Sequence, residues 1–508
     1  DYDFSLNYSR QLGDKHYVFG FLSYSLSENT FEEDIFKAEG FPSDKMNSIF
    51  FARQYTENSK PTGSESTSRS VGVNAVFNYS FDDRLLMDVT YRTNASSQFG
   101  ANQRWGNFWS FGGGWNIHNE KWMRELGWFS RLKLRASLGS TGSQGSNAYQ
   151  SLATYNYSDK YYEDALGAYL LGMKNDDLKW QKKMDYNLGV DMTVKNCFNL
   201  VFDYYQSITE NLLVALTLPP SSGFTTVQEN IGKVKNAGVE VNMSYTVFSH
   251  AKDRSYLTLA LRGAHNKNKV LKISDSMKAY NERMDKEMLE GGKPVIKYYD
   301  GVSMNAIWAV PSLGIDPATG REIYRKKDGR STFTYDVNDM VICGDNLPKL
   351  NGSFSINLGY KGLGFNMTCI YELGAKMFNQ TLIDRVENVD MHYNVDRRVL
   401  EGRWQNPGDV VRFRSLKSYW DPETQTYPRD VQTKATSRFV QKKNELNISS
   451  INISYDFYRY AFVKQIGLER LSLAFYMNDV AKLSTIKTER GLAYPFARNY
   501  NFSLQMTF

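Results

Sequence analysis

The residues best suited to nucleophilic, acid–base or metal chemistry are five histidines, His16, His118, His250, His265 and His392, and three cysteines, Cys197, Cys343 and Cys369. They are scattered. There is no HExxH pair, no serine or cysteine elbow, and no CxxC spacing, and three cysteines cannot all pair in a disulfide framework. Gly112-Gly113-Gly114 sits inside an alternating, strand-like run, which argues against a phosphate-binding loop. The adjacent acids Asp176 and Asp177 read as solvated loop carboxylates. Asp316, in Gly314-Ile-Asp-Pro-Ala-Thr-Gly320, is placed to cap its turn, with a loop Ca²⁺ ligand as the alternative. The expectation is a protein that is not an enzyme and carries no cofactor.

Binding chemistry is better represented. Arg131, Lys133 and Arg135 share one face of a run, and Asp185, Asp191 and Asp203 are acidic points on the polar faces of later runs. Contact with a passing solute is one reading of these charges; mutual pairing in water is the expected one. Aromatic side chains offer flat apolar faces that stack on sugars or clasp peptide side chains. Tyr298, Tyr299 and Trp308 in a central zone, and Tyr393, Trp404 and Trp420 in the longest loop, are the candidate substrate-binding residues. Packing of the loops themselves is their alternative role.

The elements that must carry these residues are strands. Tyr500, Phe502, Leu504, Met506 and Phe508 alternate strictly with Asn501, Ser503, Gln505 and Thr507, a period of two. The same pattern recurs along the chain. Val71, Val73, Ala75, Phe77, Tyr79 and Phe81 reach the turn Asp82-Asp83, after which Leu85, Met87, Val89 and Tyr91 resume the apolar face, a hairpin signature. Comparable pairs flank Lys195-Asn196 and Lys361-Gly362. Leu446 and Ile448 change phase at Ser449-Ser450 before Ile451 and Ile453, as a β-bulge would require. Long connections are expected at about 28–69, 95–106, 141–182, 207–234, 266–300, 372–443 and 480–495, always separated by short turns. Tyr298–Gly344 reads either as two more strands or as one structured loop, which makes about fifteen or seventeen strands in all.

Composition constrains where such a sheet lives. Apolar residues are 41% and aromatics 14%, with 34 Tyr and 30 Phe. Mean hydropathy is −0.51, and no run of eighteen apolar residues is present, so no helix is expected to cross a membrane. Barrel strands alternate and average out to the same values. The surplus of 61 basic over 55 acidic residues is small, and no basic run is interleaved with aromatics, so nucleic acid is not an expected partner. Short turns alternating with long loops predict an all-β, transmembrane antiparallel barrel with periplasmic turns and extracellular loops. The opening residues hold no charged and apolar leader, and the strand count is odd, so the chain is expected to be a processed or partial one.

Seven stretches resemble the SusC-like branch of the TonB-dependent outer-membrane transporters. They are Arg92-Thr-Asn-Ala-Ser-Ser-Gln-Phe-Gly100 with Asn102-Gln-Arg-Trp-Gly106, Leu132–Gln144, Asn175–Gln181, Asn230–Gly238, Gly314–Gly320, Gly344–Lys349 and Arg403-Trp-Gln-Asn-Pro-Gly-Asp409. Asn94, Ala95, Gln98 and Asp176 depart from the family pattern, which has Asp, Gly, Arg and Pro there. The resemblance implies that residues 1–508 are part of a 22-stranded barrel whose plug and first strands are not in this chain, with 372–443 as the longest extracellular loop. It further implies import of oligomers, glycans or peptides, with a SusD-like lipoprotein lid and with TonB engaged through the part not in this chain. Outer-membrane lipid is the remaining implied partner. Tyr500, Phe502 and Phe508 become, on the same grounds, a candidate barrel-assembly signal. A passive porin or adhesin barrel and a secreted β-rich glycan-binding protein are the alternatives.

Overall fold

The computed structural model describes residues 1–508 except 58, 60, 144–147, 163–164, 218–225, 275–276, 283, 285–295, 390–394, 417–432 and 488–496. Fifteen antiparallel strands form one sheet in chain order. They are β1 Tyr2–Leu12, β2 His16–Ile35, β3 Thr62–Phe81, β4 Leu85–Ser96 and β5 Trp105–Asn116. Next come β6 Phe129–Ser143, β7 Gln181–Val194, β8 Phe198–Thr217, β9 Thr226–His250 and β10 Ser255–Lys272. The last five are β11 Leu350–Tyr360, β12 Leu363–Phe378, β13 Val440–Asp456, β14 Arg470–Ser484 and β15 Tyr500–Thr507. The chain clusters into two compact units. One comprises Asp1–Gly113, Ser137–Asp185 and Thr209–Ile231; the other comprises Gly114–Ala136, Tyr186–Ile208 and Gly232–Phe508.

Register turns the alternation of single strands into rows. In the first unit Leu6, Leu22, Ala75 and Tyr91 stand side by side across four strands. The second unit carries a seven-residue apolar row, Tyr245–Leu259–Ile356–Met367–Ile451–Met477–Tyr500. One residue along lies its polar counterpart, Thr246–Thr258–Asn357–Asn366–Asn452–Tyr476–Asn501. Large apolar side chains of the first face remain exposed, as Tyr245 at 46% and Leu473 at 47% illustrate. A soluble sheet would cover such rows; lipid covers them in a membrane.

Asp82 and Asp83 have φ of 52° and 51°, Lys195 and Asn196 47° and 54°, and Lys361 and Gly362 50° and 104°. Consecutive left-handed residues are the requirement of a type I′ turn, whose twist matches the flanking strands. Pairing of Phe81 with Leu85 makes the first connection three residues long, and the Arg84 N–H donates to the Phe81 carbonyl at 2.9 Å. The phase change in β13 is a bulge: Thr368 faces Ser450 while Cys369 faces Ile448, leaving Ser449 over.

Two expectations change, and one open alternative is resolved. Strands extend into the expected long loops: β2 and β3 stay paired from Glu28–Arg69 out to Ile35–Thr62, and β8 and β9 reach Thr217 and Thr226. These extensions lack a clean alternation: the start of β3, Thr62–Ser68, is polar apart from Gly63, whereas β8 ends on the unbroken apolar run Leu212–Leu216. Tyr298–Gly344 adds nothing to the large sheet. Its strands Ala306–Ala309 and Val341–Asp345 pair together, and Ser312–Ile315, Glu322–Arg325 and Ser331–Thr332 make a separate small sheet. It is a structured loop. The longest connection runs from the end of β12 to the start of β13, residues 379–439, shorter than the expected 372–443 because both strands continue.

The two faces make a direct prediction. Met367→Arg places a charge in the apolar row and should cost about 2–4 kcal/mol near the bilayer midplane, lowering the amount of assembled protein in outer-membrane fractions. Asn366→Arg, on the other face, should leave that amount near wild type.

Candidate functional site

The charged residues predicted on β6, β7 and β8 meet one another. Arg135 Nε donates to Asp191 Oδ1 at 3.0 Å, and its Nη2 donates to both Asp203 oxygens at 3.0 and 3.2 Å. Arg131 Nη2 donates to the other Asp191 oxygen at 3.0 Å. Asp185 stands apart, bonded to Lys183 at 2.7 Å. A Cβ on Gly189 would lie 2.6 Å from both Arg135 Nη2 and Asp203 Oδ1, so glycine leaves room for the pair. Arg131 and Arg135 are thus balanced by Asp191 and Asp203.

In the first unit, stretches far apart in sequence form one buried knot. Phe99, Phe108 and Trp180 make a cluster, with the Phe99 and Trp180 rings stacked at 4.3 Å. Trp180 Nε1 donates to the Arg104 carbonyl at 2.9 Å, and the Gly100 N–H to the Leu178 carbonyl at 3.2 Å. Asn230 closes the knot by accepting from the Lys179 N–H at 2.9 Å and donating to the Asn211 carbonyl at 2.9 Å. Space is the reason for two of the glycines. A Cβ on Gly142 would sit 2.1 Å from the Phe108 ring, and one on Gly100 would sit 2.0 Å from the Asp176 carbonyl oxygen.

Beside this knot a cavity of about 380 Å³ opens on the polar face, lined by Ser25, Ser70, Arg92, Asn94, Thr141 and the Phe108 and Trp180 rings. Ser25, Gly72 and Asn94 lie in one cross-strand row. A Cβ on Gly72 would come within 2.9 Å of both neighbours' polar atoms, so its absence keeps the cavity open. Hydroxyls, an amide, a guanidinium and two ring faces are the groups that bind sugars and other polar oligomers.

The second unit holds the loop residues. Tyr298 is clasped through its backbone by Asn281, which donates to its carbonyl at 2.6 Å and accepts its N–H at 3.0 Å. Tyr299 and Trp308 come together at 5.0 Å, and Trp308 packs on the Val310, Val337, Met340 and Ala435 cluster. Trp404 lies elsewhere. Its Nε1 donates to the Pro317 carbonyl at 2.9 Å, and its ring fills the space over Gly320, whose φ is 71°. Trp404 thus locks the turn at 314–320 to the turn at 403–409. Tyr393 and Trp420 fall outside the described residues. Tyr500 and Phe502 flank Phe475 on the edge strand β15, and Phe508 is 83% exposed just beyond it. Both Asp316 oxygens serve its turn, accepting from Ala318 N–H, Thr319 N–H and Thr319 Oγ1, and the Thr319 bond holds its carboxyl below the usual range.

A buried ion network fixes these loops. Arg438 spans Glu322 at 2.9 Å and Glu387 at 2.7 Å, while Thr436 Oγ1 donates to Glu322 at 2.8 Å. Burial opposes the Arg438 charge, yet the two carboxylates keep it protonated. Arg403 donates to the carbonyls of Val399, Arg414 and Val386.

A profile of the family described as TonB dependent receptor-like, beta-barrel, matches residues 1–270. The chain belongs to that family. It is 26% identical to TonB-dependent receptor P39 of Formosa agariphila, over 94% of this chain and 49% of that protein. To TonB-dependent receptor SusC of Bacteroides thetaiotaomicron it is 27% identical, over 61% of this chain and 31% of that protein. The solved RagAB peptide transporter shares the fold at a TM-score of 0.80 and 22% identity, over 95% of this chain and 51% of that chain. The chain spans about half the length of P39 and of the RagAB chain it matches. Family membership makes this an outer-membrane β-barrel chain and not an enzyme.

Sequence reasoning found the family motifs but missed what they build. Phe99, Gly100, Gly142, Leu178, Trp180 and Asn230 all lie inside the quoted stretches, and they converge on one knot. Trp180 and, in the second unit, Lys297 each carry a prediction. Trp180→Ala empties the cluster and should destabilise the protein by about 3–5 kcal/mol, read as a lower temperature in a heat-modifiability assay. The second concerns Lys297, 4% exposed, whose pKa burial lowers to about 8 with Lys327 as the smaller cause. Its folded value lies below the unfolded one, so stability is greatest above about pH 10.5 and falls as the pH drops toward 8. Lys297→Met should remove that fall in thermal unfolding measured across this window.

Proposed function

We propose that this chain is the barrel portion of a SusC-like importer that brings oligomeric nutrients, glycans in preference to peptides, across the outer membrane. A SusD-like surface lipoprotein would deliver the cargo. TonB would supply the energy through the part of the protein that this chain does not span. The observation that carries the reading is the cavity beside the Phe99–Phe108–Trp180 knot, where hydroxyls, amide and guanidinium share space with two aromatic faces. The SusC relative and the RagAB peptide transporter support import of an oligomer, and the hydroxyl-rich lining favours a glycan.

The test is uptake by cells of a labelled glycan oligomer and of a labelled peptide, with the gene deleted and restored. Deletion should abolish glycan uptake while monomer uptake persists, and collapse of the proton-motive force should do the same. Loss of peptide uptake alone would turn the cargo to peptides. Uptake that survives collapse of the proton-motive force would favour a passive porin, and uptake unaffected by deletion would end the proposal. Purification in detergent, with mass spectrometry of the co-purified subunits, should return one surface lipoprotein.

A further inference from the structure

In the second unit a separate cavity of about 430 Å³ lies among the long loop, the start of β13 and the segment after β14. We propose that it is a binding site for an anionic group, a carboxylate or a sulfate, carried by an oligomeric cargo. The word cargo rests on the import reading; the site itself does not.

The floor is built and rigid. Leu382 and Phe413 are 4% and 5% exposed and belong to one core cluster. Asn379, 2% exposed, donates to Gln441 Oε1 at 3.1 Å and accepts the Leu382 N–H at 3.1 Å, so neither amide is free to turn. Two of the wall's charges are already satisfied. Asp396 binds Arg398 through Nε at 2.9 Å, Nη2 at 2.7 Å and the backbone N–H at 2.8 Å, and these bonds hold its carboxyl far below the usual range. Glu401 pairs with Arg397 at 2.7 Å.

Arg412 and Lys487 are left. Among the described residues neither makes an ion pair, although Asp396, already held by Arg398, also feels the Lys487 charge from farther away. Both are held by structure that does not depend on their side chains. The Arg412 N–H donates to the Gly402 carbonyl at 3.0 Å, and its carbonyl accepts from Arg438 Nη1 at 2.9 Å. The Arg412 guanidinium carbon lies 5.7 Å from the Phe413 ring centre, close enough for a cation–π contact. Two residues before Lys487, Thr485 donates through Oγ1 to the Lys442 carbonyl at 2.7 Å and through its N–H to the Asn444 carbonyl at 3.0 Å. Scattered surface cations are ordinary. Two cations that make no ion pair among the described residues, lining one walled space beside fixed amides, match a bound anion that also offers hydroxyls or amides.

The experiment uses the full-length protein with its lipoprotein partner in nanodiscs and titrates four probes calorimetrically. They are a trigalacturonate, a neutral trisaccharide, a hexapeptide bearing glutamates and the same peptide bearing glutamines. At low salt one anionic probe should bind about tenfold tighter than its neutral counterpart, with the gap closing as salt rises. The double variant R412Q/K487Q should lose that gap, and R412K, which keeps the charge, should retain most of it. Preference for the uronate or for the acidic peptide identifies the source of the anion. Equal binding of charged and neutral probes, or a double variant that keeps the gap, would overturn the site. Uptake of the neutral oligomer in cells, measured alongside, separates the two ideas. Charge-dependent binding without import leaves the site standing, and import without charge dependence removes it.

Discussion

A membrane offers no water to satisfy a backbone N–H or carbonyl, so each strand must find its hydrogen-bond partners in its neighbours. The rest of this protein follows from that constraint. The ladder of β9 through β15 is unbroken except at a few bulges, and within it every apolar row is one residue away from a polar one. A slip of one residue would exchange lipid-facing and polar side chains along a whole strand. Turn chemistry and apolar alternation therefore reinforce each other. The left-handed pairs at 82–83, 195–196 and 361–362 close hairpins in the register that the rows require.

Beyond the apolar rows the constraint relaxes and another takes over. Several strands continue past those rows, and the connections between them need cores of their own. In the first unit that core is the Phe99–Phe108–Trp180 knot, made possible by glycines that leave space for rings. In the second it is the Arg438 network joining residues near 322 to residues near 387, supported by Arg403 and by Trp404 over Gly320. Buried ion pairs are costly to form and costlier to break. Breaking one here would release the long loop from the small sheet on which it is held.

Charge in the second unit divides into two kinds. Arg131 and Arg135 are neutralised by Asp191 and Asp203. Arg412 and Lys487 make no ion pair among the described residues, and Asp396, whose bonds go to Arg398, reaches Lys487 only at longer range. Residue type does not distinguish these cases; only pairing does.

The two-period alternation, the turn pairs, the Ser449 bulge and the family motifs were legible in single stretches of chain, because each is set by neighbours one to four residues apart. The apolar rows could be inferred from the same pattern, since register follows from turn length. The ends of β2, β3, β8 and β9 were not legible, because a mostly polar stretch such as Thr62–Ser68 and an unbroken apolar run such as Leu212–Leu216 both lack a period of two. Nor was the identity of Tyr298–Gly344 as a loop, whose short strands are fixed by contact with residues more than a hundred positions away. Of the six loop aromatics proposed for binding, Tyr299 and Trp308 meet, Tyr298 is clasped by Asn281 and Trp404 packs a turn, while Tyr393 and Trp420 are outside the described residues. By itself the sequence determined a membrane sheet of the TonB-dependent receptor type. Tertiary structure alone decided which motif residues form the knot and which cations stay unpaired, because both depend on distances between side chains that lie far apart along the chain.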